Sequence, residues 1–446
     1  MPDLPIHNAI CGYAEKETAR FHMPGHKGIL SAFDVTEVTG TDNLHSPKDA
    51  ILRSEALCAE ALKARDAFFS VNGSSAAVMC MLALLGTGKQ VLLARNCHIS
   101  AVNGAALAGH ITHPIFPDEN GVITAETAEK AFEERHYDAV FITSPTYRGV
   151  CSPVDRIAAV AHEHGALLLV DSAHGAHFAF SDMLPPVPSS ADLWCVSTHK
   201  TLDALTQTAV LLAGEGCPIE RERIRRSLSL FQSTSPSYLL MLSIERALLM
   251  PSDWDAHIKR IAELSDRIAA VPGVELLYRG SEAVYDVTRL NIRMSGMTGY
   301  DLAAKLEEAG IVPEMSDGEC VTLITTPSDD PDWYERLYER LVQLAEKTGA
   351  NEETGSKGSA ALPEPGECKV SVREAVLGEY ELVSLHEAVG LVAAKPVGCY
   401  PPGISILFPG ETITSENASY LLDEERRGAV LFGTEDGMIA VLRKKV

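Results

Sequence analysis

The chain has 446 residues, 46% of them hydrophobic, and a formal net charge of −23, a composition typical of a globular protein of two or three domains. Such an acidic surface disfavours binding to nucleic acid and to anionic membranes, because both are also negatively charged. The ten cysteines include no C-x-x-C pair and stand mostly in apolar stretches. They therefore predict buried free thiols in a reducing compartment, and neither disulfides nor a metal site.

The start of the chain and its longest apolar run bear on localisation. Residues 1–11 do not contain the basic segment followed by an apolar segment that is typical of a secretory signal peptide. The apolar run from Ala76 to Leu85 is too short to span a bilayer. We therefore expect a cytoplasmic protein that binds neither membrane nor nucleic acid.

Regular elements are predicted after an irregular beginning. Residues 1–45, rich in Gly, Pro, His and Asp, predict an extended arm. Periodic apolar positions then predict helices from Ser54 to Arg65 and from Gly73 to about Leu85. Helical stretches such as 154–164 separate several short apolar runs, so the sequence predicts an α/β fold with a mostly parallel sheet. These runs are continuous, as in strands covered on both faces, and comprise residues 91–94, 139–142, 166–170 and 193–196.

Composition divides the chain into five predicted parts. Residues 347–368 are rich in Gly, Glu, Ser and Pro and predict a flexible linker. The other parts are an N-terminal arm over 1–45, a large domain over 46–240, a smaller α/β domain over 241–346 and a C-terminal α+β domain over 369–446.

Polar residues follow two of the predicted strands, at the carboxyl ends where parallel sheets bind ligands. Asp171-Ser172-Ala173-His174 follows the most apolar run, and Ser197-Thr198-His199-Lys200 follows the next. A buried carboxylate such as Asp171 needs a partner, which is either a structural one or the protonated ring nitrogen of a cofactor. Lys200 is either a solvated loop lysine or a lysine whose lowered pKa lets it form a Schiff base.

A third feature precedes these two in the chain. Asn72-Gly73-Ser74-Ser75 begins a predicted helix, and its small residues suit either an ordinary serine N-cap or a bound phosphate. Helix start, aspartate and lysine follow one another in the order found in fold-type I enzymes that use pyridoxal 5′-phosphate (PLP). Together they predict a PLP site, with the phosphate at the helix start, the ring nitrogen at Asp171 and the Schiff base on Lys200.

Almost the whole chain resembles the Orn/Lys/Arg decarboxylase family of PLP enzymes. The resemblance implies PLP fold type I, as in aspartate aminotransferase, for the large domain. It also implies the short form of the family, without an N-terminal wing domain. The matching segments are Phe21-His22-Met23-Pro24-Gly25-His26-Lys27-Gly28, Gly40-Thr41-Asp42-Asn43-Leu44, Asn72-Gly73-Ser74-Ser75, Arg95-Asn96-Cys97-His98, Asp171-Ser172-Ala173-His174, Ser197-Thr198-His199-Lys200, Ser233-Thr234-Ser235-Pro236, Tyr400-Pro401-Pro402-Gly403-Ile404 and Pro409-Gly410-Glu411.

The resemblance implies a role for each residue at a matching position. Lys200 would carry the Schiff base, and Asp171 would bind the ring nitrogen. Ala173 and His98 would pack on opposite faces of the ring, and His199 or Lys200 would return a proton to the substrate carbon. The remaining cofactor contacts would come from Ser74, Ser75, His174, Ser197, His199 and, across a homodimer interface, Thr234.

The substrate implied by the resemblance is a basic L-amino acid. Glu314 would receive its distal cation, and Tyr400 would line the same pocket. The alternatives are a solvated loop carboxylate for Glu314 and a purely structural turn for Tyr400. Ile99 departs from the family, which usually has Lys there, and this changes the charge next to His98.

The expected reaction converts arginine, lysine or ornithine to agmatine, cadaverine or putrescine, a step of polyamine metabolism. Two alternatives stay open. The first is another fold-type I reaction, such as transamination or aldol cleavage, and the second is a non-catalytic PLP-fold binding protein.

Overall fold

The computed structural model describes residues 2–16, 18–348, 362–400 and 404–443. Their contacts divide the chain into two compact units. The first unit comprises Met1–Gly86, Thr124–Pro145 and Pro153–Trp254. The second comprises Thr87–Ile123, Thr146–Ser152 and Asp255–Val446.

The α-helices of the described residues are numbered in chain order. They are α1 (Pro5–Ala14), α2 (Ala50–Ala61), α3 (Gly73–Leu84), α4 (Ile99–Ala108), α5 (Ala125–Glu134), α6 (Val154–Glu163), α7 (Thr198–Thr201), α8 (Arg221–Leu228), α9 (Tyr238–Leu249), α10 (Trp254–Ala269), α11 (Gly299–Glu307), α12 (Pro331–Thr348), α13 (Val372–Leu377) and α14 (Ser415–Arg427).

The strands are numbered in the same way. They are β1 (Asp66–Ser70), β2 (Gln90–Ala94), β3 (Ile111–Ile115), β4 (Ala139–Thr143), β5 (Leu167–Asp171), β6 (Leu193–Ser197), β7 (Ala209–Ala213), β8 (Val274–Leu276), β9 (Arg289–Met294), β10 (Met315–Ser316), β11 (Val321–Ile324), β12 (Tyr380–Ser384), β13 (Val397–Tyr400), β14 (Ile404–Leu407), β15 (Val430–Phe432), β16 (Thr434–Glu435) and β17 (Met438–Leu442).

The first unit contains a mostly parallel sheet whose strands lie in the order β1-β7-β6-β5-β4. Strands β4, β5 and β6 run parallel, whereas β7 is antiparallel to both of its neighbours. Every residue of β6 and β7 is buried, as expected of strands covered on both faces. The sheet confirms the predicted α/β fold and brings the carboxyl ends of β5 and β6 next to each other.

The four predicted strands and the helices around them are present, with shifts of a few residues. The helix predicted from Ser54 begins earlier, at Ala50, and the helix predicted from Gly73 begins there. Strands β1, β3 and β7 were not predicted. In β3, Ile111-Thr112-His113-Pro114-Ile115 mixes polar residues and a proline with its two isoleucines, so no continuous apolar run marks it.

Helix α1 lies within the segment predicted to be an extended arm, so that prediction was wrong for this part of the chain. Ile6, Ile10 and Tyr13 recur at helical spacing and are buried. The carboxylate of Glu245 in α9 accepts hydrogen bonds from the backbone N–H groups of Ile6 and His7, at 2.8 and 2.9 Å. These bonds satisfy donors that a helix start leaves without intrahelical partners. They come from a distant part of the sequence, so the cap of this helix, unlike the spacing of its apolar residues, is not visible in the local sequence.

The Gly40-Thr41-Asp42-Asn43-Leu44 segment, one of those that carry the family resemblance, has a structural role. The carboxylate of Asp42 accepts hydrogen bonds from the backbone N–H groups of Lys48, Asp49 and Ile51, at 2.9 to 3.0 Å. Its charge also lies at the start of α2, where the helix dipole favours an anion. Asp42 therefore fixes the point at which the irregular beginning of the chain gives way to regular structure.

Among its described residues, the second unit contains one parallel strand pair and three antiparallel sheets. Strands β2 and β3 pair in parallel. The sheet β10-β11-β9-β8 shares a hydrophobic core with α10, α11 and α12. The sheets β12-β17-β16 and β14-β13-β15 follow, with a core to which α14 contributes Leu421. Of the predicted linker 347–368, the first two residues end α12, and 349–361 lie outside the described residues.

Candidate active site

Asp171 is the last residue of β5 and is almost fully buried. Its Oδ1 accepts a hydrogen bond from the backbone N–H of Ala173 at 3.1 Å and another from the Sγ of Cys195 at 3.7 Å. Both bonds end on Oδ1, so Oδ2 keeps its capacity to accept a hydrogen bond from a ligand. The preceding aliphatic residues bury β5 and place this carboxylate at the edge of the sheet.

Lys200 lies in α7, which begins directly after β6. Its Nζ is 3.0 Å from Nε2 of His174, a side chain that is only 4% exposed. An ammonium group only donates hydrogen bonds, so a charged Lys200 requires His174 to accept with an unprotonated Nε2. The imidazole is therefore placed to take a proton from the lysine.

The start of α3 has the features of an anion site. Gly73 has φ +72°, which favours glycine, and no side-chain hydrogen bond from Asn72 caps the helix. The hydroxyl of Ser197 donates to the hydroxyl of Ser74 at 3.0 Å, which links the end of β6 to the first turn of α3. Ser75 follows in the same turn and is half-buried. Backbone N–H groups and hydroxyls at a helix start suit a phosphate group.

The side chain of His199 is fixed by a hydrogen bond to the segment that precedes β7. Its Nδ1 donates to the backbone carbonyl of Thr208 at 2.8 Å. Burial lowers the pKa of His199 below its ordinary value, and the nearby charge of Lys200 lowers it further. The neutral ring keeps its proton on Nδ1, so Nε2 could donate to a phosphate only after the ring gains a second proton.

Thr234 lies on the loop before α9 and is exposed. Nearby in the sequence, the carbonyl of Ser233 accepts a hydrogen bond from Nε2 of His45 at 2.8 Å. The first unit thus presents Thr234 outward, whereas the other predicted cofactor residues of this unit lie along the ends of β5 and β6 and the start of α3.

In the second unit, His98 is the N-cap of α4. Its Nδ1 accepts a hydrogen bond from the backbone N–H of Ser100 at 3.2 Å and lies 2.9 Å from the hydroxyl of the same residue. These contacts fix the ring of His98, which is half-buried. Ile99 is the first residue of α4.

An ion pair joins two of the segments that carry the family resemblance. Arg95, which is 2% exposed, donates to both carboxylate oxygens of Glu411 at 2.7 and 2.8 Å. Its guanidinium also lies 4.0 Å from the centre of the Phe408 ring. Burial raises the pKa of Glu411 above its ordinary value, although the charge of Arg95 opposes this effect.

The two residues predicted to bind substrate also lie in the second unit. Glu314 has an exposed side chain, and its backbone N–H donates to the carbonyl of Thr322 at 3.0 Å. Tyr400 ends β13, but its side chain and residues 401–403 lie outside what the structure describes.

The structure therefore brings together one group of the predicted residues within the first unit. His98, Glu314 and Tyr400 belong to the second unit, and their placement around the same ligand stays a prediction. Sequence reasoning missed Cys195 and Thr208, which contact Asp171 and His199. The alternation of side chains along β6 was a usable signal for Cys195. The predicted residues grouped in the first unit are Ser74, Ser75, Asp171, Ala173, His174, Ser197, His199 and Lys200.

All ten cysteines are free, and six of them are buried. Among the described residues, no group of three or more His, Cys, Asp and Glu side chains is placed to hold a metal ion. In the same ranges, no helix combines the length and apolarity that crossing a membrane requires.

Comparison with known proteins identifies the family. The Orn/Lys/Arg decarboxylase major domain matches residues 4–271, and the C-terminal domain of the same family matches residues 362–433. The chain belongs to the Orn/Lys/Arg decarboxylase family. Membership confirms the resemblance carried by the sequence segments and, with it, the prediction of a PLP-dependent decarboxylase.

Individual relatives agree with this assignment. The chain is 32% identical to an arginine decarboxylase of Bacillus subtilis (strain 168), an alignment that covers 99% of this chain and 97% of the relative. Its structure resembles that of the constitutive lysine decarboxylase of E. coli, with a TM-score of 0.83, 19% identity and coverage of 99% of this chain and 82% of the other. An alanine–glyoxylate aminotransferase of Nostoc sp. has the same fold over 66% of this chain and 86% of its own, with a TM-score of 0.54 and 17% identity.

Proposed function

We propose that this chain decarboxylates arginine to agmatine with PLP held by the first unit. The observation that carries the proposal is the pairing of Lys200 with His174 at 3.0 Å, beside a strand end whose buried Asp171 has an accepting oxygen to spare. Lysine and ornithine are the alternative substrates. Arginine is preferred because the 32% identical relative that covers the chain is named an arginine decarboxylase, whereas the lysine decarboxylase is similar chiefly in fold.

The residues present fit PLP at three points. The uncapped start of α3, with Ser74, Ser75 and Ser197, suits the phosphate. Asp171 offers Oδ2 to the protonated ring nitrogen, and Lys200 supplies the amine that bonds to the aldehyde carbon. When bound, PLP accepts the electron pair that the departing carboxylate leaves on the substrate's α-carbon.

Each side chain of the site then has a task in handling protons and orientation. His174 takes a proton from Lys200 and thus makes the amine nucleophilic. The negative charge of Asp171 keeps the ring nitrogen protonated, which maintains its electron demand. We assign His98 and Ala173 to the two faces of the ring, and the return of a proton to the α-carbon to Lys200 or His199.

Recognition of the substrate's distal cation is assigned to Glu314, with Tyr400 beside it. A carboxylate can accept two parallel hydrogen bonds from a guanidinium, a geometry that an ammonium group cannot match. This difference would favour arginine over lysine and ornithine. Because the product would be agmatine, the reaction would be a step of polyamine metabolism.

We further propose a homodimer in which Thr234 reaches the phosphate of the partner's site. Thr234 is exposed within its own unit. Three large apolar side chains of the N-terminal segment are also exposed: Phe21 at 95%, Ile29 at 87% and Leu30 at 82%. Exposed apolar groups concentrated in one segment are typical of an interface with another chain.

One experiment tests cofactor, reaction and substrate together. The purified protein is titrated with PLP while its visible spectrum is recorded, and then receives arginine, lysine or ornithine while carbon dioxide and amine are assayed. We expect a visible band on adding PLP, and CO₂ and agmatine with arginine at a rate at least about tenfold higher than for the other two.

The Lys200→Ala variant is the control. It should give neither the band nor measurable CO₂, because the amine that bonds to the aldehyde is gone. A wild-type protein without the band would leave a non-catalytic binding protein as the better explanation. A band with a keto acid or an aldehyde as product, and no CO₂, would favour transamination or aldol cleavage.

A further inference from the structure

Strand β6 supports the candidate PLP site with two side chains on one face. Successive side chains of a strand point to opposite faces, so Cys195 and Ser197 share a face and Trp194 and Val196 occupy the other. Ser197 donates to Ser74 at the start of α3. Cys195, fully buried, lies opposite Asp171 in the register of β5 and β6. One face of β6 thus contacts both the phosphate end and the ring-nitrogen end of the site.

The contact between Cys195 and Asp171 is specific to one carboxylate oxygen. The Sγ of Cys195 lies 3.7 Å from Oδ1, which also accepts the backbone N–H of Ala173 at 3.1 Å. A carboxylate held by two donors on one oxygen cannot rotate about its terminal bond without losing both. Its second oxygen therefore keeps a fixed direction.

We propose that Cys195 is a positioning residue for Asp171, whose thiol donates to Oδ1 and so presents Oδ2 to the ring nitrogen of PLP. The inference rests on the proposed function of Asp171. Burial raises the pKa of the Cys195 thiol well above its ordinary value, and the charge of Asp171 raises it further. The thiol is therefore a neutral S–H donor at all pH values at which the protein is handled.

Removing the thiol leaves the carboxylate of Asp171 with one donor fewer on Oδ1, so its second oxygen is held less firmly towards the ring nitrogen. Affinity for PLP should therefore fall. The size of the effect, for a weak sulfur donor, is roughly threefold.

The experiment measures the dissociation constant of PLP from the apo protein by fluorescence titration at one pH, about 7.5. Four proteins are compared: wild type, Cys195→Val, Cys195→Ser and Cys58→Val. Valine replaces the thiol by apolar carbon and suits a strand, but is somewhat larger than cysteine and donates no hydrogen bond. Serine restores a donor. Cys58, also fully buried but in α2, is the matched control for loss of a buried thiol.

We expect the dissociation constant of PLP to rise roughly threefold in Cys195→Val, and to stay within about 1.5-fold of wild type in Cys195→Ser and Cys58→Val. Thermal unfolding of each apo protein verifies folding, and Cys195→Ala replaces the valine variant where that variant does not fold. An unchanged dissociation constant in the variant that lacks a donor at position 195 would overturn the proposal, as would an equal loss of affinity in Cys195→Ser. Failure of the wild type to bind PLP would instead overturn the proposed function.

Discussion

Two histidines determine where protons can reside around Lys200. Nε2 of His174 lies 3.0 Å from Nζ of Lys200 and is placed to accept its proton. His199, the residue before, has its Nδ1 proton engaged by the carbonyl of Thr208 and a pKa that burial lowers. The two rings therefore have different settings: Nε2 of His174 lies where it can accept a proton from the lysine, while burial favours the neutral form of His199 and a bound anion such as phosphate would favour its charged form.

The lowered pKa of His199 predicts a pH dependence of the apo protein's stability. Below the ordinary histidine pKa of about 6.5, the unfolded chain binds a proton that the folded state resists. The free energy of unfolding therefore falls as pH decreases from about 6.5 towards the folded-state pKa. A His199→Asn variant, whose amide can still donate to Thr208, should lose this component, so its stability should fall less than that of wild type.

Chemical denaturation of both apo proteins at pH 7.5, 6.5 and 5.5 measures this difference. His136→Asn, a change at an exposed histidine outside the site, is the control and should follow wild type. If wild type and His199→Asn lost stability in parallel over this range, the inferred pKa direction would be wrong.

Several site residues could be predicted from the sequence because a continuous apolar run that ends in polar residues marks the end of a buried strand. A continuous apolar run ending in Asp171, and another ending just before Lys200, locate both side chains at one sheet edge without a structure. Cys195 and Thr208 are different. The alternation of side chains along β6 indicates which face Cys195 occupies, but its contact with Asp171, like that of Thr208 with His199, depends on which segments are neighbours in the fold.

At the scale of elements, residues in the C-terminal part of the second unit form hydrogen bonds with both ends of the segment 95–107, which contains His98. Arg95, at the end of β2, is bound by Glu411 and by the carbonyl of Ile406 at 2.6 Å. At the other end of α4, the carbonyl of Leu107 accepts a hydrogen bond from Arg373 of α13 at 2.7 Å. The position of His98 thus depends on residues several hundred positions later. Sequence motifs marked Arg95 and Glu411 separately, but only the fold reveals that they form a pair.

Breaking this buried pair should destabilise the protein strongly. Glu411→Gln leaves the guanidinium of Arg95 without a counter-charge, which for a buried pair costs about 3–5 kcal/mol of unfolding free energy. Lys395→Gln, which breaks an exposed pair with Glu435 in the same part of the chain, should cost at most about 1 kcal/mol. Chemical denaturation followed by circular dichroism compares the two. Equal effects would show that the Arg95 pair contributes no more than a surface pair.

For the whole molecule, the fold class and the family were within reach of the sequence, whereas helix α1 was not. The first N–H groups of α1 bind Glu245 of α9, so the bonds that cap this helix come from outside its own sequence, although its buried apolar residues recur at helical spacing. The arrangement of protomers in the proposed homodimer is even harder to predict from local sequence patterns. Exposure of Thr234 within its own unit is the structural feature on which the proposed shared site depends.

The proposed shared site predicts complementation between two inactive variants. Lys200→Ala lacks the reactive amine, and Thr234→Asp places a carboxylate against the partner's phosphate, so each homodimer should be inactive. In a mixed dimer, however, one site combines an intact Lys200 with an intact Thr234 from the other protomer. Random exchange makes half of the dimers mixed, and each holds one intact site of two. About a quarter of wild-type activity should therefore return, as measured by CO₂ release after co-refolding.

Mixing Lys200→Ala with Asp171→Ala is the matched control, because both residues lie in the same unit of one chain. Every site in that mixture lacks one of the two groups, so no activity should return. If the Lys200→Ala and Thr234→Asp mixture also stayed inactive while each variant remained folded and dimeric, Thr234 would have to act within its own protomer. The exposed loop before α9 would then need to move inward to reach the phosphate. Complementation thus distinguishes a site completed by a second chain from a site completed by a loop of the same chain.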